Sequence, residues 1–168
     1  MSVHSWRRFF AAVVAIAVAL GGPATLLAVD KDKAVYMGGT PSGLQEKAEG
    51  RVDTRSDAEF SFEAGKKGSV SIPYASVTEL EYGQKAGRRV AVGILISPWA
   101  LFSKKRNHYL TITYTDRAGK EQAGIFELGK GIVRTTLKIL EVRTSKEIVF
   151  QDADACKQYK TPKECEGK

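Results

Sequence analysis

The chain is poor in the residues that usually mark an enzyme. Of its 168 residues two are histidine and two are cysteine. His4 falls in the first few positions, so His108 is the only histidine in the remainder. Neither G-x-S-x-G nor HExxH occurs, and GGTPSG (residues 38–43) lacks both the lysine and the following helix that a phosphate-cradling loop requires. One histidine with two cysteines is too small a ligand set for zinc, and the CxxC spacing of a redox pair is missing. A histidine at the start of a strand is more often a satisfied structural residue than a general base. Glu79 and Glu81 share a strand face, which would suit glycoside chemistry beneath a cleft, but a solvated face explains them more simply. No repeat of solenoid length is visible. The expectation is a protein that is not an enzyme and uses no metal or cofactor.

What the chain does have begins at its N-terminus. MSVHSWRR is short and positive, FFAAVVAIAVAL is apolar, and GGPATLLA is a helix break followed by small residues. Residues 1–28 therefore read as a secretory signal with Ala28 as its last residue, giving a periplasmic or secreted product. The uncharged stretch from Phe9 to Val29 is also just long enough to span a bilayer, so an uncleaved inner-membrane anchor is the alternative; Gly21, Gly22 and Pro23 interrupt it. Arg7-Arg8-Phe9-Phe10 has the spacing of a twin-arginine signal, although Trp6 stands where Ser or Thr is usual. Cleavage would lower the net charge from +7 to about +5, because two arginines leave and no carboxylate does. A mild basic excess suits anionic lipid, an acidic glycan or an acidic partner, and export argues against nucleic acid. In an oxidising compartment, Cys156 and Cys165 read as one disulfide closing a small loop in the tail, residues 151–168.

Between signal and tail the pattern is that of strands. Residues 29–49 hold a short candidate strand, AVYM, and a polar linker rich in turn residues. From Gly50, seven runs follow: RVDTR, AEFSFEA, SVSIPY, VTELEYG, RVAVGILIS, HYLTITYTD and QAGIFELG. KKG and DRAGK are turn signals between them. VTELEYG sets Leu80 and Tyr82 against Glu79 and Glu81, which predicts one wet face. RVAVGILIS is apolar on both faces, which predicts a central, doubly covered strand. The period then changes: in KGIVRTTLKILEVRTSK, Val133, Leu137 and Leu140 recur at helical spacing, with Arg134, Lys138, Glu141 and Arg143 mostly elsewhere. EIVFQD can add a last short strand. The expected fold over residues 50–150 is mainly β: a seven-stranded antiparallel barrel whose open end is capped by one amphipathic C-terminal helix. That order of elements is pleckstrin-homology-like.

Four blocks carry a resemblance: IPY at 72–74, LEYGQKAGRR at 80–89, KKRxHyLTI at 104–112 and RTxLKxLExRT at 134–144. Over about residues 48–152 the chain resembles an uncharacterised family of exported bacterial proteins, and more distantly the bacterial pleckstrin-homology and GRAM-like domains. In those domains the helix ends in R-T-G-K; here Ser145 takes the place of the glycine. The resemblance implies the fold and supplies no catalytic residue. Related domains bind lipid head groups through a basic cluster between the first two strands, but the corresponding turn here, RSDA near Thr54–Ala58, has none, so phosphoinositide recognition of that kind is not expected. Arg88 and Arg89 begin the central strand, where one of them is expected to pair with Glu79 or Glu81 across the hairpin in preference to a ligand-binding role.

The most unusual segment is SPWALFSKKRNH, residues 97–108, too long and too apolar for a simple hairpin loop. Trp99, Leu101 and Phe102 are followed at once by Lys104, Lys105 and Arg106. In one reading this is an interfacial wedge, with the apolar side chains entering an anionic membrane surface and the cations meeting phosphates. In the other, Trp99, Leu101 and Phe102 fold back over the barrel and the cations are its solvated end. The leading functional expectation is a non-catalytic exported module that binds a membrane surface or envelope protein through this loop. Its rivals are a structural part of an envelope assembly and an envelope hydrolase that would need His108 in a pocket with a carboxylate. No nucleic-acid partner and no small-molecule substrate are expected.

Overall fold

The computed structural model describes residues 33–84 and 107–165, with backbone alone at 162 and 163. The strands are β1 (Lys33–Gly39), β2 (Ala48–Asp53), β3 (Glu59–Glu63), β4 (Ser69–Pro73), β5 (Val77–Gly83), β6 (His108–Thr115), β7 (Glu121–Leu128) and β8 (Ile148–Phe150). Helix α1 (Val133–Thr144) lies between β7 and β8, and two short helices, α2 (Ala153–Tyr159) and α3 (Pro162–Cys165), follow. All eight strands join one sheet in the order β4-β3-β2-β1-β7-β6-β5-β8. Every neighbouring pair is antiparallel except β5 and β8, which are parallel.

Alternation puts Phe60 and Phe62 of β3, Leu80 and Tyr82 of β5, Leu110 and Ile112 of β6, and Phe126 of β7 on one face, where all are buried. The sheet curls strongly over this face. Phe126 meets Phe60 and Phe62 with ring centres 5.2 and 5.4 Å apart, although β1 and β2 separate those strands in the sheet. Helix α1 closes the core with Val133, Leu137 and Leu140; the two leucines are 0% exposed, whereas Val142 on the opposite side is 64% exposed. Each buried leucine contributes roughly 2 kcal/mol of transfer free energy. The helix stops at Ser145, whose φ of 55° is the left-handed conformation that glycine adopts most easily.

Six of the seven strands expected beyond Gly50 are present, and RVAVGILIS lies outside the described residues. The DRAGK hairpin is there too: Asp116 accepts from the Ala118 and Lys120 amides, and Gly119 has φ 78°. The closed seven-stranded antiparallel barrel is not. The sheet is open and mixed because β5 has both edges occupied, by β6 and by the EIVFQD strand β8, so it cannot pair with β4. AVYM, read as a strand ahead of the roll, lies between β2 and β7. The wet face of β5 holds at Glu79, which is exposed, and is corrected at Glu81. Glu81 is only 4% exposed and accepts a hydrogen bond from Gln151 Nε2 at 2.8 Å. The absence of a side chain at Gly83 makes this possible, since a Cβ there would lie 1.8 Å from Gln151 Oε1.

The tail packs against the domain. Ala155 of α2 enters the core, Tyr159 Oη donates to Glu141 Oε2 at 2.9 Å, and Cys156 is bonded to Cys165 as expected. Among the described residues no helix is long and apolar enough to cross a membrane.

A cationic cleft at the root of the β5–β6 connection

Strands β5 and β6 are hydrogen-bonded neighbours, with Gly83 opposite Tyr109. Adjacent antiparallel strands need about 2–5 residues to join them. Here residues 84–107 make the connection, and it carries the apolar and basic segment singled out above. Trp99, Leu101, Phe102, Lys104, Lys105 and Arg106 all lie outside the described residues, as do Arg88 and Arg89. The far end of the segment, Asn107 and His108, is described.

His108 continues the core-facing register of Leu110 and Ile112 to the end of β6, where the apolar core stops. Its ring lies nearly parallel to that of Tyr82, at an interplanar angle of 7°, and Nδ1 is 2.6 Å from Tyr82 Oη. Burial raises the Tyr82 phenol to about 12, so it keeps its proton, and the tautomer of the imidazole sets which of Oη and Nδ1 donates in this bond. In the tautomer whose Nδ1 accepts from Tyr82, the neutral imidazole carries its proton on Nε2, for which no partner occurs among the described residues. The imidazole is held below its ordinary pKa, first by burial and then by the Lys130 ammonium.

Beside the ring opens a cleft of about 540 Å³ lined by His108, Lys130, Val133, Arg134 and Gln158. Lys130 comes from the turn after β7, Val133 and Arg134 from the first turn of α1, and Gln158 from α2. Arg134 Nε donates to the Gln158 carbonyl at 3.2 Å, which ties α2 to α1, and neither Nη has a partner among the described residues. The helix start adds to the positive field: Ile132 supplies no side-chain cap, and the first turn has no acidic residue. Among the described residues the lining contains three basic groups, one amide and no carboxylate. Such a site attracts anions.

Lys130 and Arg134 do not stand out in the sequence, where Arg134 reads as part of the solvated helix face. One signal was present. Cations are ordinarily favoured at helix C-termini, so two of them at an uncapped N-terminus contradict the usual helix chemistry. Tyr82 reads as sheet structure, and its bond to His108 spans 26 residues of sequence.

In comparisons with known proteins, the chain matches no protein-family model and no curated protein sequence.

Proposed function

We propose that the protein is an exported, non-catalytic binding module, a pleckstrin-homology-like roll that attaches reversibly to an anionic membrane surface through residues 97–108. Trp99, Leu101 and Phe102 enter the interface, and Lys104, Lys105 and Arg106 meet lipid phosphates. One observation carries the reading. His108, two positions beyond Arg106, opens onto a cleft whose charged walls among the described residues are Lys130 and Arg134, so the basic run of the loop has a cationic continuation on the folded body. A cation near an anionic surface contributes about 1 kcal/mol, so these five together with a few inserted apolar side chains give attachment without permanence. Export and the Cys156–Cys165 disulfide are consistent with an envelope location.

Co-sedimentation with phosphatidylglycerol vesicles, with phosphatidylcholine vesicles as control, tests this. The native protein should sediment with the anionic vesicles alone. A variant combining Trp99→Ala with Lys104, Lys105 and Arg106 changed to Glu should stay in the supernatant. Equal behaviour of the two proteins contradicts the reading, and capture of an envelope protein at high salt would favour the envelope-assembly alternative.

A further inference from the structure

We infer that the cleft formed by His108, Lys130, Val133, Arg134 and Gln158 is a binding site for one phosphate monoester group. Its donors suit a tetrahedral dianion. Arg134 has Nε engaged by the Gln158 carbonyl and neither Nη partnered among the described residues, so the two form the planar fork that grips two phosphate oxygens. Lys130 adds a compact charge from the opposing turn. The Nε2–H of His108, present in the tautomer that accepts from Tyr82 and in the imidazolium alike, is the third donor. The uncapped first turn of α1 adds backbone N–H groups to this set. Buried Val133 supplies an apolar wall for the carbon atoms next to the ester oxygen. The described walls include no carboxylate to repel the dianion.

A phosphate diester in a chain of lipid or polymer has a single charge and two free oxygens, whereas a monoester fills all three donor directions. The site therefore distinguishes a terminal phosphate from a bridging one. A terminal phosphate can come from a lipid head group such as phosphatidic acid or from a soluble phosphomonoester. This inference deepens the membrane reading and rests on it only for the lipid as source.

Glycerol 3-phosphate is titrated into the full chain while the His108 ring resonance, identified by its loss in His108→Gln, is followed by NMR. In parallel, binding to vesicles containing phosphatidic acid is compared with binding to phosphatidylglycerol vesicles of equal surface charge. The expected result is a saturable His108 shift with a raised imidazole pKa, and a preference for phosphatidic acid that glycerol 3-phosphate competes away. Lys130→Gln and Arg134→Gln should each weaken the soluble interaction about tenfold, the loss of one charge-assisted contact, with Arg134→Lys only partly restoring it. Both side chains are exposed, so an unchanged thermal melt separates a binding defect from unfolding. No His108 response, or a response that both glutamine variants preserve, overturns the inference. In that case retained binding to phosphatidylglycerol that depends on Trp99 leaves the membrane reading standing. If the soluble phosphomonoester binds but neither vesicle does, the site stands as a soluble-ligand site and the membrane reading falls.

Discussion

The guanidinium of Arg143 lies 5.5 Å from the centre of the Tyr74 ring, and its Nη1 donates to the Tyr74 hydroxyl at 3.3 Å. Arg143 belongs to the RTxLKxLExRT block and Tyr74 to the IPY block, so two motifs nearly seventy residues apart meet in space. The same nitrogen reaches the Thr54 and Ser56 carbonyls, and Nη2 pairs with Asp57, which pins the β2–β3 turn to the end of α1. The RSDA turn, which lacks a basic cluster of its own, is thus held by a cation from the helix.

Arg143→Ala should lower the unfolding free energy more than Asp57→Asn does, because two carbonyls and the Tyr74 hydroxyl lose a charged donor and the cation–π contact goes. Arg143→Lys should recover little, since an ammonium cannot reproduce the planar fork. Asp57→Asn should change stability by less than about 0.5 kcal/mol, as the carboxylate is almost fully exposed. Urea denaturation of the three variants checks this ordering.

Ser145→Gly should stabilise the protein by about 1 kcal/mol. A non-glycine residue in the left-handed region costs roughly 1–2 kcal/mol, partly offset by the extra freedom that glycine gives the unfolded chain. Differential scanning calorimetry reads the change as a rise in Tm of several degrees.

Acid should weaken the fold through His108. Its folded pKa lies below the ordinary value of about 6.5, so as pH drops below that value the unfolded chain takes up a proton before the folded one does. The stability component is therefore complete above about pH 6.5, falls as pH descends toward the folded pKa, and levels off below it. Among the described residues, Tyr82, Lys130 and Arg134 face the ring, and burial keeps the Tyr82 phenol neutral through this range. In His108→Gln the urea midpoint should fall less between about pH 7 and pH 5 than in the native protein.

Reduction of the Cys156–Cys165 bond, or its replacement by two alanines, should cost about 2–3 kcal/mol, the loop-closure value for a ring of this size. Because Ala155 is in the core beside Cys156, the loss should appear in the single unfolding transition of the domain and not as separate fraying of the tail. Near- and far-ultraviolet circular dichroism recorded on the same melt distinguishes the two.

The sequence made local structure legible where period and turn chemistry agreed. Phe60 and Phe62, Leu110 and Ile112, the DRAGK turn and the Leu137–Leu140 stripe each lie within a few residues of the signals that predict them. Long-range relations were hidden. Nothing local says that Ile148 would pair in parallel with Leu80, yet that pairing blocks barrel closure and brings Gln151 over Glu81. AVYM is a short run, so its strand character could be read but not its position between β2 and β7. The cleft was hidden for the same reason: His108, Lys130, Arg134 and Gln158 come from four elements, and only the fold assembles them.

Trp99 is the only tryptophan besides Trp6, so a Trp6→Phe variant carries a single fluorophore at the centre of the proposed attachment surface. Its emission should be that of a water-exposed indole in buffer and with phosphatidylcholine vesicles, and should shift to the blue with phosphatidylglycerol vesicles. Emission already blue in buffer and unchanged by anionic lipid would show Trp99 to be packed within the protein and would contradict membrane attachment through residues 97–108.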